Sequence, residues 1–242
     1  MILVAVALAL SLTSLAAQAA APQLRITTEE SLPAVMVEQG RFTGYAYEKL
    51  REAMRRAGIT FSIELMPWMR SYTLAQQDPG TCVFPTTRTP EREKLFTWVV
   101  PVARTDWWLY GLANRDYRVH KLEDARQLRF GAYNGDVRGE YLKARGYQVD
   151  FASNDDANIR KLMLGRIDLW VASPRSAQVR LARESLQNEI TPIMMFNSVE
   201  LYLACHPATP AALVRRLAAA FTAMERDGTS RAIEVRYDVP QR

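Results

Sequence analysis

The chain has 242 residues, with 31 Lys or Arg against 26 Asp or Glu and a net charge of +5 at neutral pH. That length holds one large domain or two small lobes, and basic residues scattered among acids read as a solvated surface, which argues against a nucleic-acid or anionic-membrane partner. The only two histidines, His120 and His206, stand in no metal-ligand spacing with each other or with a cysteine, so no metal and no other cofactor is expected.

The first element is an uncharged apolar run from Ile2 to Leu15, broken by Ser11, Thr13 and Ser14 and followed by small residues up to Ala21. This is the pattern of a secretory signal peptide. Ala17 and Ala19 fit the small positions before the cut, which predicts a leader over residues 1–19, although the customary Lys or Arg at its start is missing. No later stretch approaches the roughly 18 apolar residues of a membrane span, and no Cys follows the leader to carry a lipid. The expectation is a soluble protein released to the periplasm. There Cys82 and Cys205, the only cysteines, read either as one disulfide or as two buried thiols.

Beyond the leader, short apolar strands alternate with amphipathic helices. Leu24 to Thr28 predicts a strand; Tyr47, Leu50, Met54 and Ala57 recur at helical spacing up to Gly58; Phe61, Ile63 and Leu65 alternate as a second strand. A helix over Trp68 to Gln76, a strand from Cys82 to Pro85 and another from Phe96 to Val100 complete the unit. A turn at Arg104-Thr105-Asp106 then leads to a strand from Trp107 to Leu112.

The rhythm returns with a strand from Phe130 to Tyr133, a helix capped by Asp136 and running to Arg145, and a strand from Tyr147 to Phe151. A helix capped by Asn154 and closed by Gly165 precedes a strand from Leu169 to Ala172. After Pro192 come a strand from Val199 to Cys205, a helix with Thr209 as N-cap and Pro210 at its first position, and a short helix from Thr229. Two units imply two parallel-sheet lobes, and the trailing strand and helices imply a return to the first. The boundaries so read are residues 20–104 plus 199–242 for lobe 1 and 105–198 for lobe 2. Two crossovers make a hinge and a closable cleft.

With this order of elements, the run Thr87-Arg88-Thr89-Pro90-Glu91-Arg92, followed by Phe96-Thr97-Trp98 and Pro101, and the later Leu164-Gly165-Arg166-Ile167-Asp168, resemble the family 3 bacterial solute-binding proteins. Those are periplasmic receptors of amino-acid ABC importers. The likeness covers the mature chain, while Met66-Pro67-Trp68-Met69-Arg70 marks a divergent branch. The resemblance implies an α/β type II periplasmic binding protein fold: two lobes, each a mostly parallel sheet flanked by helices, joined by a two-strand hinge.

It also implies a ligand site. Arg92 matches the arginine that grips a ligand carboxylate, for which a planar guanidinium offers two parallel hydrogen bonds; the alternative is a surface arginine in salt bridges. Thr87 matches a hydroxyl residue on the same carboxylate. Trp68 stands where an apolar side chain meets the ligand, or is simply core. Arg70 would add charge near the mouth. Glu29, or its neighbour Glu30, matches an acid that caps the ligand side chain or amine.

On the opposite side Asn134, Asp136 and Val137 lead into a helix start whose amides favour an anion, unless Asp136 only caps its own helix. Ser173 stands where amino-acid binders carry an Asp for the ligand ammonium, a loss of ~1.5–3 kcal/mol for a charged hydrogen bond. A carboxylate without an amine, a modified amino acid or a small peptide therefore competes with a standard α-amino acid as ligand. In the family's topology the returning strand lies antiparallel to the third, which pairs Cys82 with Cys205 away from the cleft.

The resulting reading is a monomeric binding protein, not an enzyme, whose closed form docks on an ABC permease. A signalling receptor is the alternative partner. A cyclohexadienyl-dehydratase-like activity, with Glu29, Glu30 or Asp136 as general acid, is the remaining alternative. No Gly-x-Ser-x-Gly elbow or phosphate loop points to other catalysis.

Overall fold

The computed structural model describes residues 23–238, and the leader expected over residues 1–19 lies outside them. In chain order β1 (Leu24–Thr28) leads to a small hairpin, β2 (Met36–Glu38) and β3 (Arg41–Thr43), and to α1 (Tyr45–Ala57). Leu50, Ala53, Met54 and Ala57 form the buried stripe of α1, which Gly58 ends in the left-handed conformation, its N–H on Arg55 O. Next come β4 (Phe61–Leu65), α2 (Trp68–Gln77) and β5 (Thr81–Thr87). β1 lies between β4 and β5, parallel to both.

A 16-residue strand, β6 (Thr97–Leu112), then crosses to β7 (Arg129–Tyr133), α3 (Val137–Lys143), β8 (Gln148–Ala152), α4 (Asp155–Met163) and β9 (Leu169–Ala172). β7 is parallel to β8 and β9. After α5 (Pro174–Arg183) a second 16-residue strand, β10 (Ile190–Cys205), returns to α6 (Ala211–Arg226) and α7 (Thr229–Val235). One eight-stranded sheet results, in the order β4-β1-β5-β10-β6-β9-β7-β8, with the antiparallel pair β6/β10 at its centre.

The apolar side chains divide on either side of that pair. Leu24, Ile26, Phe84, Val99 and Leu203 meet Leu50, Met54, Phe221 and Met224 on one side. On the other, Leu109, Phe130, Leu142 and Leu169 pack one sheet face and Ile159, Leu162, Trp170 and Leu181 the other. The C-terminal end is tied to the first side. Lys49, 2 % exposed, donates to Val102 O at 2.8 Å and to Glu234 on α7, and the Tyr237 hydroxyl bonds Glu48 and accepts from Gly44 N.

Several expectations are corrected. Arg104, Thr105 and Asp106 are not a turn between two strands but the middle of β6, in register with Glu200, Val199 and Ser198 of β10. Their polarity reflects the cavity they line: Arg104 Nε donates to Ser198 Oγ at 2.9 Å, and that hydroxyl donates to Asp106 at 2.6 Å. By the same pairing β10 begins at Ile190, well before Val199. The helix α5 and the hairpin β2/β3 were not anticipated, and α3 ends at Lys143 rather than Arg145.

Pro210, not Thr209, is the N-cap of α6, and the buried Thr209 hydroxyl has no partner. Asp136 and Asn154 cap as expected, accepting from Arg138 N and Ala157 N. Cys82 is the second residue of β5, Cys205 closes β10, and the two are paired in register and disulfide-bonded. Among the described residues no helix is long and apolar enough to cross a membrane.

Candidate functional site

The carboxyl ends of β1, β5, β7 and β9 open onto one cavity of ≈ 690 Å³, to which the first turns of α2 through α5 also contribute. Such a crevice at strand ends is where open α/β sheets bind ligands. The disulfide sits at the opposite ends of β5 and β10.

On one wall β5 delivers Thr87, 6 % exposed, and a tight turn follows in which Arg92 N donates to Thr89 O. The turn aims the Arg92 guanidinium back over the cavity, where it lies 5.8 Å from the Trp68 ring and 5.0 Å from the Tyr72 ring, with Nη1 3.5 Å from Thr87 O. Trp68, the first residue of α2, is buried and packs tilted against Tyr72, from which edge contacts run through Phe96 to Trp98. Cation–π contact holds a guanidinium without neutralising it. Among the described residues Arg92 makes no salt bridge, so its charge is open to the cavity.

The facing wall is built differently. Asp136, 2 % exposed, takes the backbone N–H of Arg138 at 2.9 Å and the Arg138 Nε at 2.9 and 3.1 Å. Arg138 Nη2 lies 3.7 Å from Asp155, whose other oxygen accepts Trp170 Nε1 at 2.9 Å. Arg180, from α5, pairs with Asp156 and approaches Asp155 at 3.9 Å. Burial pushes the Asp136 carboxyl up, with the Arg138 charge pulling it back. The same enclosure would depress Arg138, but Asp136 and Asp155 outweigh it and hold the guanidinium firmly protonated.

Two contacts join the walls. The Tyr133 hydroxyl at the end of β7 donates to Glu29 Oε1 at 2.8 Å. Enclosure raises Glu29 to about 7 against that hydrogen bond, helped by the nearby Asp136 and Asp155 charges, and burial likewise raises Tyr133 well above its ordinary value. The second contact is Gly135, at φ +79°, whose backbone lies against α2: a Cβ there would stand 2.5 Å from Met69 Sδ and 2.9 Å from Trp68 Cδ1.

Of the residues expected from sequence, Glu29, Trp68, Thr87, Arg92, Asp136, Val137 and Ser173 line this cavity, as does Glu30. Arg70 and Asn134 do not. Arg70 is exposed on α2 and acts on Glu64, and the Asn134 side chain faces solvent while its N–H pairs with Ala152 O. In the first turn of α3 the Arg138 N–H is taken by the chain's own Asp136.

Sequence reasoning missed Tyr133, Arg138, Asp155, Arg175 and Arg180. Arg175 and Arg180 ride on α5, and the signal for that helix was present: Pro174 at a first helical position, with Ala177 and Leu181 at helical spacing.

The model of bacterial extracellular solute-binding proteins, family 3, matches residues 24–239. No curated protein sequence matches. Similar solved structures include a histidine kinase sensor domain with similarity to periplasmic binding proteins, at TM-score 0.82 and 17% identity over 89% of this chain and 96% of that one. Another is the arginine-, lysine-, histidine-binding protein ArtJ from Geobacillus stearothermophilus, at TM-score 0.78 and 15% identity over 91% and 96%. A third is the ancestral amino acid-binding protein AncCDT-1, a precursor of cyclohexadienyl dehydratase, at TM-score 0.74 and 17% identity over 88% and 94%. At these identities the likeness shows the fold: mixed α/β, a curled and mostly parallel sheet with flanking helices, of the type II periplasmic binding kind.

Proposed function

Because this chain belongs to the family 3 bacterial extracellular solute-binding proteins, we propose that it captures a small carboxylate-bearing solute, an amino acid or a related compound, between two lobes. Lobe 1 comprises residues 20–104 and 199–242, lobe 2 residues 105–198, and β6 and β10 are the hinge. The observation that carries the reading is Arg92: a guanidinium fixed by two aromatic rings, lining the cavity and making no salt bridge. A fork of donors so held favours a carboxylate, which takes two parallel hydrogen bonds.

Thr87 is proposed as a second donor to that carboxylate and Trp68 as the flat surface beside it. Glu29 caps the far end of the solute, Val137 and Ser173 line the lobe 2 side, and Asp136 acts through Arg138. Arg70 and Asn134 drop out because they stand outside the cavity. The protein is exported to the periplasm behind residues 1–19 and works as a monomer, its closed form docking on an ABC permease.

A thermal-shift screen of the mature protein against amino acids, organic acids and small peptides tests this, since a ligand of the folded state raises the melting midpoint. Arg92→Ala should abolish the shift from any carboxylate hit. An undiminished shift removes Arg92 from the site. Rapid turnover of prephenate or arogenate would replace the binding reading with an enzymatic one on the same fold.

A further inference from the structure

The arginines around the cavity differ in whether an anion already answers them. Arg138 holds Asp136 through two hydrogen bonds, Arg180 holds Asp156, and Arg175 holds Asp238 at 2.6 Å. Arg104 is joined to Asp106 through the Ser198 hydroxyl. Arg92 alone faces only rings and a carbonyl.

We propose that Asp136 sets the charge of the solute: as a built-in anion on Arg138, it leaves Arg92 as the cavity guanidinium with no polar side-chain partner, so that the solute carries a single carboxylate, on Arg92, and an uncharged or cationic group at its other end. The proposal rests on the carboxylate-capture reading above.

Asp136 and Arg138 are two residues apart on one element, so their contact is intramolecular and survives any opening of the cleft; an incoming carboxylate competes with a partner at very high effective concentration. Displacing Asp136 would also strand a carboxylate that is 2 % exposed and strip the α3 cap. A second carboxylate that leaves the pair intact instead meets Asp136 and Asp155 on the wall it faces, and like charges juxtaposed in a closed site disfavour its binding.

The test is calorimetric binding of the mature protein to matched pairs that differ only in one carboxylate made amide: glutamine with glutamate, asparagine with aspartate, succinamate with succinate. In every pair that binds, the monoacid should bind about tenfold or more tightly than the diacid. Asp136→Asn, which keeps the cap acceptor and removes the nearer of the two carboxylates on Arg138, Asp155 at 3.7 Å remaining, should shift that ratio toward the diacid by about tenfold, and Asp136→Ser should shift it the same way. A wild-type ratio at or below one overturns the proposal, as does a ratio that neither variant moves. Should both variants fail to fold, the wild-type ratio decides alone. If pairs bind and the diacid wins, Arg92 capture stands and only Asp136's role falls; if no carboxylate binds at all, both fall together.

Discussion

Tyr133 and Glu29 are joined by one 2.8 Å hydrogen bond that runs from the end of β7 to the end of β1 across the cavity. Glu29, raised to about 7 mainly by loss of solvent, stays neutral in the folded protein over a range where the unfolded chain, near 4.5, is already ionised. The sign follows: this group's contribution to stability is fully present below about 4.5 and is lost as pH rises through about 7. Glu29→Gln keeps an acceptor for Tyr133 and removes the titration. Relative to wild type, the Gln variant should gain on the order of 2–3 kcal/mol between about pH 4 and about pH 8, read by chemical denaturation. Parallel stability profiles would show that Glu29 titrates as an ordinary surface carboxyl.

Arg92→Lys separates charge from geometry. A lysine keeps the positive end but offers no planar fork and stacks less well over Trp68 and Tyr72. Affinity for a carboxylate hit should fall about 10- to 100-fold, equivalent to ~1.5–3 kcal/mol, with an unchanged melting midpoint of the free protein. Equal affinity in a titration would mean that Arg92 acts only as a distant charge.

How much of this was legible in the sequence depends on whether partners are near in the chain. Period and caps located β1, α1, β7 and α4 within a residue or two, because Leu50, Met54, Asn154 and Gly165 act on their own elements. Arg92 and Trp68 were found through the motif that carries them. The long strands β6 and β10 were cut short because Arg104-Thr105-Asp106 is polar for a reason only the cavity reveals. Arg138 and Arg180 escaped notice because their meaning lies in Asp136, Asp155 and Asp156, and the latter two sit on a different helix from either arginine. Alternation of apolar residues says nothing about which charge answers which.

Gly135 provides a steric test of closure. Its φ of +79° disfavours any side chain, and an added methyl would press on Met69 and Trp68. Gly135→Ala should weaken binding of any hit about tenfold or more while each half keeps its own core. Met69 is 52 % exposed and free to yield, so adding Met69→Ala should restore part of the loss, with the backbone strain remaining. A double variant no better than the single would show that Gly135 matters for its backbone angle alone.

The Cys82–Cys205 bridge makes the opposite prediction, stability without affinity. The two cysteines are separated by 123 positions, so the crosslink restricts a long loop in the unfolded chain, which on chain-entropy grounds reaches about 5 kcal/mol and in native domains typically 2–5. Reduction, or Cys82→Ser with Cys205→Ser, should lower the melting midpoint by on the order of 10 °C. Because the bridge joins the ends of β5 and β10 remote from Thr87 and Arg92, the affinity for a carboxylate hit at a temperature below melting should stay within about twofold of wild type. A parallel loss of affinity would mean that the crosslink holds the cleft wall in shape, and two free thiols by mass under non-reducing conditions would remove the bridge altogether.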